Sequence, residues 1–344
     1  MNNRFIFSLK ASLVLILLVI AAGATVRVTG SGMGCPDWPK CFGYIIPPTE
    51  KSQLEWKADV FYNADEVIIV NESLRIAKSN FKSDKKYNSS NWAPYLKHDY
   101  SVFNVYHTWI EFINRLIGAI AGVATLLMLF CSISYWKKNK VVFFGSLLIV
   151  FGMGFQAWLG KEVVDSNLLP LKITIHMLMA LIILALIVLL LYLTNHNLIN
   201  LINLIKNKKK IIYITITAFC LTLIQIFSGT QVRQFIDLQM NQYPNQYELW
   251  LKFAPIKFYF HRSFSILIFL THLFLWLEFK KNNFIPFSLK IIISVISLEI
   301  FTGAIMYYLD FPVTTQPIHL FLATLIFSAQ LYLLFQLTLT NKNQ

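Results

Sequence analysis

The stretch LKITIHMLMALIILALIVLLLYLT, residues 171–194, carries a single charged side chain, Lys172, close to its start. A helix needs about 20 predominantly apolar residues to cross the hydrocarbon core of a bilayer. The continuous apolar character of the stretch excludes a strand of a membrane β-barrel, in which lipid-facing and lumen-facing residues alternate. We therefore predict a membrane-spanning helix at this position.

Seven further apolar runs accompany this one, and 56% of the 344 residues are hydrophobic against 14% charged. Such a composition excludes a water-soluble globular protein. We predict an all-α integral membrane protein with eight transmembrane helices. They lie near residues 5–26, 104–131, 141–160, 171–194, 211–230, 256–278, 287–309 and 314–338.

The first run also has features of a cleavable signal peptide. Arg4 and Lys10 precede its most apolar part, and Ala22, Gly23 and Ala24 end it. An internal repeat of the chain requires this segment as a helix, so a retained first helix is the preferred interpretation.

Lysine residues concentrate in three short loops, and lysine-rich short loops lie on the cytoplasmic side of a membrane. These residues are Lys137, Lys138, Lys140, Lys206, Lys208, Lys209, Lys210, Lys280 and Lys281. Both termini are then predicted to be cytoplasmic, in the inner membrane of a bacterial cell, and residues 27–103 form a long external loop. The net charge of +13 is explained by topology and contact with anionic lipid, and nucleic-acid binding is not expected.

Two halves of the chain, residues 1–205 and 206–344, contain matching motifs. The matching pairs are GATVR at 23–27 with GTQVR at 229–233, Asn114-Arg115 with His261-Arg262, and Gly160…His176 with Gly303…His319, both sixteen residues apart. Four helices return the chain to the side from which it started. We therefore predict two four-helix halves related by a pseudo-twofold axis along the membrane normal.

Cysteines occur at two kinds of position. Cys35 and Cys41 lie in the predicted external loop, where thiols can be oxidised. Their spacing suits a short disulfide, and a reduced pair or a metal-binding pair has the same spacing. Cys131 and Cys220 fall in apolar runs and are expected to act as small apolar residues.

Histidines are expected in three environments. His98 and His196 belong to loops, and His272 belongs to a structural or lipid-edge position. The remaining four, each in the outer half of a predicted helix, are His107, His176, His261 and His319. An imidazole inside a membrane helix is costly to leave unpaired and is therefore a functional candidate.

His261 and His319 come from the sixth and eighth helices at similar depth, which suits axial ligation of one haem iron from both faces. Two buried histidines satisfied by hydrogen bonds are the alternative interpretation. Candidates for binding the haem propionates are Arg233 and Arg262 and, at the matching positions of the first half, Arg27 and Arg115.

Several motifs together resemble the haem A synthase family across all eight helices. They are TVRVTGSGMGCPDWPKCFG at 25–43, EFINR at 111–115, HR at 261–262, and the single histidines His176 and His319 of the fourth and eighth helices. The segment from about residue 45 to 100 has no counterpart in the family.

The resemblance implies a haem-dependent oxidoreductase that converts the C8 methyl group of haem O to the formyl group of haem A for terminal oxidases. Haem O binds in the first half and haem b in the second. The implied roles are haem b ligation by His261 and His319, ligation in the substrate site by His176, catalysis by Glu111, and an external cysteine pair formed by Cys35 and Cys41.

One position departs from the pattern of many family members, which read Glu-x-x-His-Arg where this chain has Asn114 before Arg115. The second axial ligand of the first site is therefore missing. His107 lies seven residues earlier on the same helix face, about 10 Å along the axis. Whether His107 is a substitute ligand, part of a proton path or a residue of the helix interface is open, and so is a five-coordinate iron held by His176 alone.

Glu111 lies three residues before Asn114 and shares its helix face. The matching position of the second half is Phe258, and we expect no acid near the histidine pair of that half. A buried carboxylate suits proton transfer. We expect Glu111 to accept a proton or to stabilise positive charge at the oxidised methyl carbon, and the second half to transfer electrons or bind haem structurally.

Two other classes of function are considered. A membrane cytochrome with two histidine ligands accounts for the second half but not for Glu111 or the external cysteines. A transporter with parallel repeats accounts for the symmetry, yet its usual mid-membrane helix breaks are not evident. The expected partners are haem O, membrane lipid, a haem O synthase and an electron acceptor.

The segment from Ile45 to Tyr100 is polar and rich in lysine and asparagine. We expect helical content within Asp65–Lys82, DEVIIVNESLRIAKSNFK. The segment is a candidate cover for the first site or a docking point for a partner.

Overall fold

The computed structural model describes residues 3–95, 103–194, 205–244 and 246–339. Within them, eight helices are long and apolar enough to cross a membrane, which confirms a multi-pass all-α membrane protein. They are α1 (Asn3–Val28), α2 (Val105–Ser132), α3 (Lys140–Asp165), α4 (Pro170–Thr194), α5 (Lys208–Gln242), α6 (Ile256–Lys280), α7 (Phe287–Tyr308) and α8 (Thr315–Thr338). His98 and His196 lie outside the described residues.

Helix starts coincide with proline, whose fixed φ angle suits the first turn and whose missing N–H is not needed there. Pro170 opens α4, while Pro255 and Pro286 cap α6 and α7. Helix α5 is longer than predicted and continues to Gln242.

The chain divides into two compact units. The helical unit comprises Met1–Ala24, Ala121–Met153 and Leu178–Gln344, and the loop unit comprises Thr25–Ile120 and Gly154–Met177. The predicted halves, residues 1–205 and 206–344, rest on the sequence repeat and have other bounds than these units. The halves and their pseudo-twofold axis therefore stay predictions.

In the helical unit, α7 packs most extensively against α8, and α5 packs against α6. Ile268, Leu275, Leu289 and Leu333 belong to the apolar core of these four helices. Lipid tails are as apolar as leucine, so close packing rather than exclusion of water holds such helices together.

A buried polar cluster links three helices of this unit. His272 of α6 is 1% exposed, and its Nδ1 lies 2.7 Å from the carbonyl oxygen of Ile268. Gln330 of α8 contacts His272 Nε2 at 2.6 Å and donates to Thr222 Oγ1 of α5 at 2.9 Å. His272 therefore has a structural position in the interior, consistent with the first of the two expected environments.

Two small antiparallel sheets lie within the long loop. Strand β1 (Phe61–Tyr62) pairs with β4 (Phe81–Lys82), and the second sheet has the order β2 (Val67–Val70), β3 (Ser73–Ala77), β5 (Trp92–Pro94). The expectation of helix within Asp65–Lys82 is wrong.

The reason is a hairpin. Asn71 and Glu72 both have positive φ angles, 48° and 58°, and form a two-residue turn between strands rich in β-branched residues. Such turns match the twist of the paired strands. The pairing of Val67 with Ile76 then replaces the hydrogen bonds that a helix would have made.

Candidate functional site

The loop that follows α1 is closed by a disulfide. Cys35 and Cys41 are bonded at an S–S distance of 2.06 Å, which confirms the predicted pairing, and both are almost fully buried. Inside the loop, the Asp37 carboxylate accepts hydrogen bonds from the backbone N–H groups of Phe42 and Gly43. The loop is therefore held by covalent and polar contacts at the same time.

This loop packs directly on the start of α2. A Cβ atom at Gly34 would lie 2.3 Å from the carbonyl oxygen of His107, so only glycine permits the approach. Thr108 Oγ1 donates to the Gly34 carbonyl at 2.9 Å.

Arg115 of α2 connects the disulfide loop to Glu111. Its Nε donates to Glu111 Oε1 at 2.9 Å, and its two terminal nitrogens donate to the carbonyl oxygens of Cys35, Asp37 and Lys40 at 2.7–3.2 Å. Four of the five guanidinium N–H groups are thereby used. Glu111 is 5% exposed, so its carboxylate is fixed in a buried position by a residue that the loop itself fixes.

His107 is also joined to the loop. Ser31 Oγ lies 3.0 Å from His107 Nδ1 and 2.6 Å from Thr29 Oγ1, and Thr29 donates to the Thr25 carbonyl. Since each hydroxyl has one proton, Ser31 donates to Thr29 and accepts from His107 Nδ1–H. The Nε2 atom of His107 then keeps its lone pair.

His176 of α4 faces α3. Gln156 Nε2 donates to the His176 carbonyl at 3.0 Å and lies 3.3 Å from His176 Nε2. A Cβ atom at Gly160 would lie 3.4 Å from His176 Cε1. The other ring nitrogen, Nδ1, is buried without a hydrogen-bond partner among the described residues. Asn114 is half-buried and has no hydrogen-bond partner among the residues that the structure describes.

In the helical unit, His261 of α6 and His319 of α8 face each other. Their ring centroids are 6.4 Å apart and the ring planes cross at 71°. Metal–imidazole bonds are about 2.0–2.1 Å long, and roughly 1.1 Å separates Nε2 from each centroid, so shared ligation of one metal places the centroids about 6.3 Å apart. The separation of the two rings therefore fits axial ligation of one haem iron.

Both imidazoles are oriented through Nδ1. Ser228 Oγ lies 2.9 Å from His261 Nδ1, and Thr302 Oγ1 lies 3.0 Å from His319 Nδ1. Each hydroxyl donates its proton to the carbonyl three residues earlier in its own helix, so each accepts from Nδ1–H. The lone pair of Nε2 is then directed away for a metal, as is usual for metal-binding histidine.

Helix α5 approaches His261 closely. A Cβ atom at Gly229 would lie 2.9 Å from His261 Cε1. The corresponding contact between Gly303 and His319 Cε1 is looser, at 3.5 Å. Gln225 Nε2 donates to the His261 carbonyl at 2.9 Å, the same contact that Gln156 makes with His176.

The second half has an acid beside its histidine pair, contrary to the sequence expectation, and this residue, Glu299, is half-buried. Glu299 Oε1 of α7 lies 3.2 Å from His319 Nε2, and Glu299 Oε2 is buried without a partner in the described residues. The comparison with Phe258 missed this residue because it considered only one helix of the repeat. The expectation that the second half has no acid near its histidine pair is therefore wrong.

A pattern shared by three helices explains the placement of these side chains. In α3, α5 and α7 an amide or acid stands four residues before the glycine that faces a histidine: Gln156 and Gly160, Gln225 and Gly229, Glu299 and Gly303. Helix α1 breaks the pattern. By the GATVR repeat, Val19 and Ala22 stand where α5 has Gln225 and Ser228. The first half has Asn114 in place of a histidine, and it thus also lacks the polar side chains that would support a histidine there.

The remaining arginine candidates differ in their contacts. Arg233 pairs with Asp237 at 2.6 Å within α5, and the Arg262 guanidinium lies 4.9 Å from the Tyr307 ring centroid. Arg27 lies in the last turn of α1 and is half-buried. Cys131 is half-buried and Cys220 is exposed, and neither belongs to the disulfide.

Comparison with known proteins agrees with this arrangement. The family described as cytochrome oxidase assembly protein, COX15-CtaA, matches residues 7–331. A haem A synthase of Rickettsia prowazekii is 24% identical over 92% of this chain and 93% of its own length, and one of Pelagibacter ubique is 23% identical over 97% and 98%. A haem A synthase of Shewanella oneidensis is 30% identical over a matched segment that covers 49% of this chain and 39% of that relative's length. The chain belongs to the COX15-CtaA family of cytochrome oxidase assembly proteins.

Proposed function

We propose that this protein is a haem A synthase, an oxidoreductase that converts the C8 methyl group of haem O to the formyl group of haem A. The observation that carries the proposal is the buried Glu111 carboxylate, which Arg115 holds within the same compact unit as His176. The facing histidine pair of the helical unit and the match to the family along nearly the whole chain support it.

The second site is proposed to hold haem b through His261 and His319. Bound there, the haem supplies one-electron redox chemistry. The chain contributes the two Nε2 lone pairs and the hydroxyls of Ser228 and Thr302 that fix the rings. Glu299 Oε1 lies against His319 Nε2, the atom that would bind the iron. The Glu299 side chain would therefore have to move away from this nitrogen for haem to bind.

The first site is proposed to bind haem O through His176 alone. Asn114 offers no imidazole, and His107 lies about 10 Å from it along α2. The His107 ring is held through Nδ1 by Ser31 of the disulfide loop. The first site would then supply one histidine ligand to the substrate haem, whereas the second would supply two.

Glu111 is proposed to accept the proton that leaves the methyl carbon as that carbon is oxidised. One carboxylate oxygen is held by Arg115, and the other has no hydrogen-bond partner in the described residues. A fixed base with one free oxygen needs no rearrangement before it receives a proton. Propionate binding is assigned to Arg27, Arg233 and Arg262, since Arg115 is largely engaged by the loop.

The test is co-expression with a haem O synthase, followed by extraction and identification of the haems. We expect wild type to accumulate haem A, and Glu111→Gln to retain haem but form no haem A. Glu162→Gln is the matched control, because this carboxylate lies in the same unit but pairs with Lys172 at 2.7 Å. Normal conversion by Glu111→Gln would remove Glu111 from the mechanism.

A membrane cytochrome with two histidine ligands is the second candidate, favoured by the 6.4 Å separation of the rings alone. Purified wild type that holds haem but never converts haem O would support it. We also propose cytoplasmic termini in a bacterial inner membrane, and a haem O synthase and an electron acceptor as partners, on the basis of the lysine-rich loops and the reaction.

A further inference from the structure

The histidines of the two haem sites differ in what holds their Nδ1 atoms. His261 and His319 each donate to a hydroxyl, from Ser228 and Thr302 respectively. The Nδ1 atom of His176 is buried without a partner among the described residues. The difference lies in the supporting helix rather than in the histidine.

Helix position explains the difference. Ser228 and Thr302 each stand immediately before the glycine that faces their histidine. The residue at this position in α3, immediately before Gly160, is Leu159. Leu159 is 6% exposed and carries no polar atom on its side chain, so α3 offers no hydroxyl at the helix position that Ser228 and Thr302 occupy in α5 and α7.

The missing hydrogen bond affects metal binding. A hydrogen bond accepted from Nδ1–H fixes the ring and makes Nε2 a stronger donor to a metal, and its loss typically weakens metal affinity 10- to 100-fold. At His176, Gln156 Nε2 additionally contacts Nε2, the atom that iron would take. The missing hydrogen bond at Nδ1 weakens the bond between His176 and an iron relative to the other two histidines. The contact at Nε2 does not distinguish His176, because Glu299 Oε1 lies 3.2 Å from His319 Nε2.

We propose that Leu159 makes the first haem site the exchangeable one by withholding a hydrogen bond from the Nδ1 atom of His176. This inference rests on the proposed function, in which the first site must take up a substrate haem and release a product haem. The second site must retain its haem through every turnover. One apolar residue in the repeat, together with Asn114 in place of a second histidine, thus distinguishes the substrate site from the cofactor site.

The test measures haem release from the purified full-length protein in nanodiscs of palmitoyl-oleoyl phosphatidylglycerol, with apomyoglobin as the acceptor. Haem O or A and haem b are distinguished after extraction. We expect the first-site haem to leave wild type at least about tenfold faster than haem b. Leu159→Ser restores a hydroxyl, and we expect it to slow first-site release about tenfold.

Leu159→Ala is the matched control, because it removes the same bulk without adding a hydroxyl, and we expect it not to slow release. Ser228→Ala should accelerate release of haem b by a similar factor. Equal release by Leu159→Ser and Leu159→Ala, or equal release from both wild-type sites, overturns the inference. Purified protein without any haem O or haem A would instead contradict the proposed function.

Discussion

Replacement of Gly229 by alanine tests whether the close approach of α5 to His261 holds the second site together. The new Cβ atom would lie 2.9 Å from Cε1 and 3.6 Å from both ring nitrogens of His261. Favourable contacts between carbon atoms lie at about 3.5–4.0 Å, so the imidazole would have to move by roughly half an ångström or more. A metal site tolerates displacements of only about that size.

We expect Gly229→Ala to bind the second-site haem 10- to 100-fold more weakly, about 1.4–2.8 kcal/mol, the range for disturbed support of a metal ligand. Gly303→Ala is the matched control, since its Cβ atom would lie 3.5 Å from His319 Cε1, an ordinary contact. Both glycines lie inside helices, so both variants gain about 1 kcal/mol in helix propensity. The difference between them isolates the steric effect on the ligand.

The assay is titration of the haem-depleted proteins with haem b, followed by absorbance of the two-histidine complex. Thermal unfolding of the haem-depleted variants checks that both are folded. Equal affinities for Gly229→Ala and Gly303→Ala would refute the reasoning, because the new Cβ atom crowds the imidazole in the first variant and not in the second.

Further predictions concern the loop and the buried polar cluster. Cys35→Ser opens a short disulfide loop and should cost about 2 kcal/mol of stability in thermal unfolding; haem A formation at the full rate would limit the disulfide to a structural role. Burial raises the pKa of Tyr44 above its usual value of 10, and the hydrogen bond from its hydroxyl to a glutamate raises this pKa further. The protonated phenol therefore stabilises the fold up to about pH 10, and this stabilisation is lost as the pH rises further; Tyr44→Phe should show a shallower loss of thermal stability in that range, and identical curves would contradict the argument. Gln330→Leu leaves the Nε2 atom of a buried imidazole of α6 without its partner and should lower stability by about 1–3 kcal/mol with unchanged haem spectra. His107→Ala should retain the first-site haem, measured by extraction, whereas loss of that haem would identify His107 as a ligand.

Hydrophobicity alone predicted the eight helices, because a helix in lipid must satisfy its own backbone hydrogen bonds and every spanning segment is therefore local and long. The long loop was predicted less well. The segment within Asp65–Lys82 contains helix-compatible residues, but the pairing of distant strands and the turn at Asn71 decide its structure. Strand pairing depends on partners that the local sequence does not contain.

The candidate site was likewise predicted in part. The repeat and the cost of an imidazole in a membrane pointed to His261 and His319, and the structure brings them to a ligating distance. Glu299 was overlooked, although extending the match between Gly160 and Gly303 by four residues would have placed it beside Gln156. The signal was present, but its meaning depended on which helix faces which histidine.

The sequence by itself determined the membrane architecture, the disulfide-bearing loop and the histidines, because composition, spacing and repetition are properties of the chain alone. Only the tertiary structure decided how Arg115 is used. Sequence suggested a propionate partner, whereas the folded loop presents three carbonyl oxygens to the guanidinium and turns Arg115 into the support of Glu111. Tertiary structure likewise decided that the Nδ1 atom of His176 has no hydrogen-bond partner among the described residues, since hydrogen bonds between residues far apart in sequence exist only once their helices have packed.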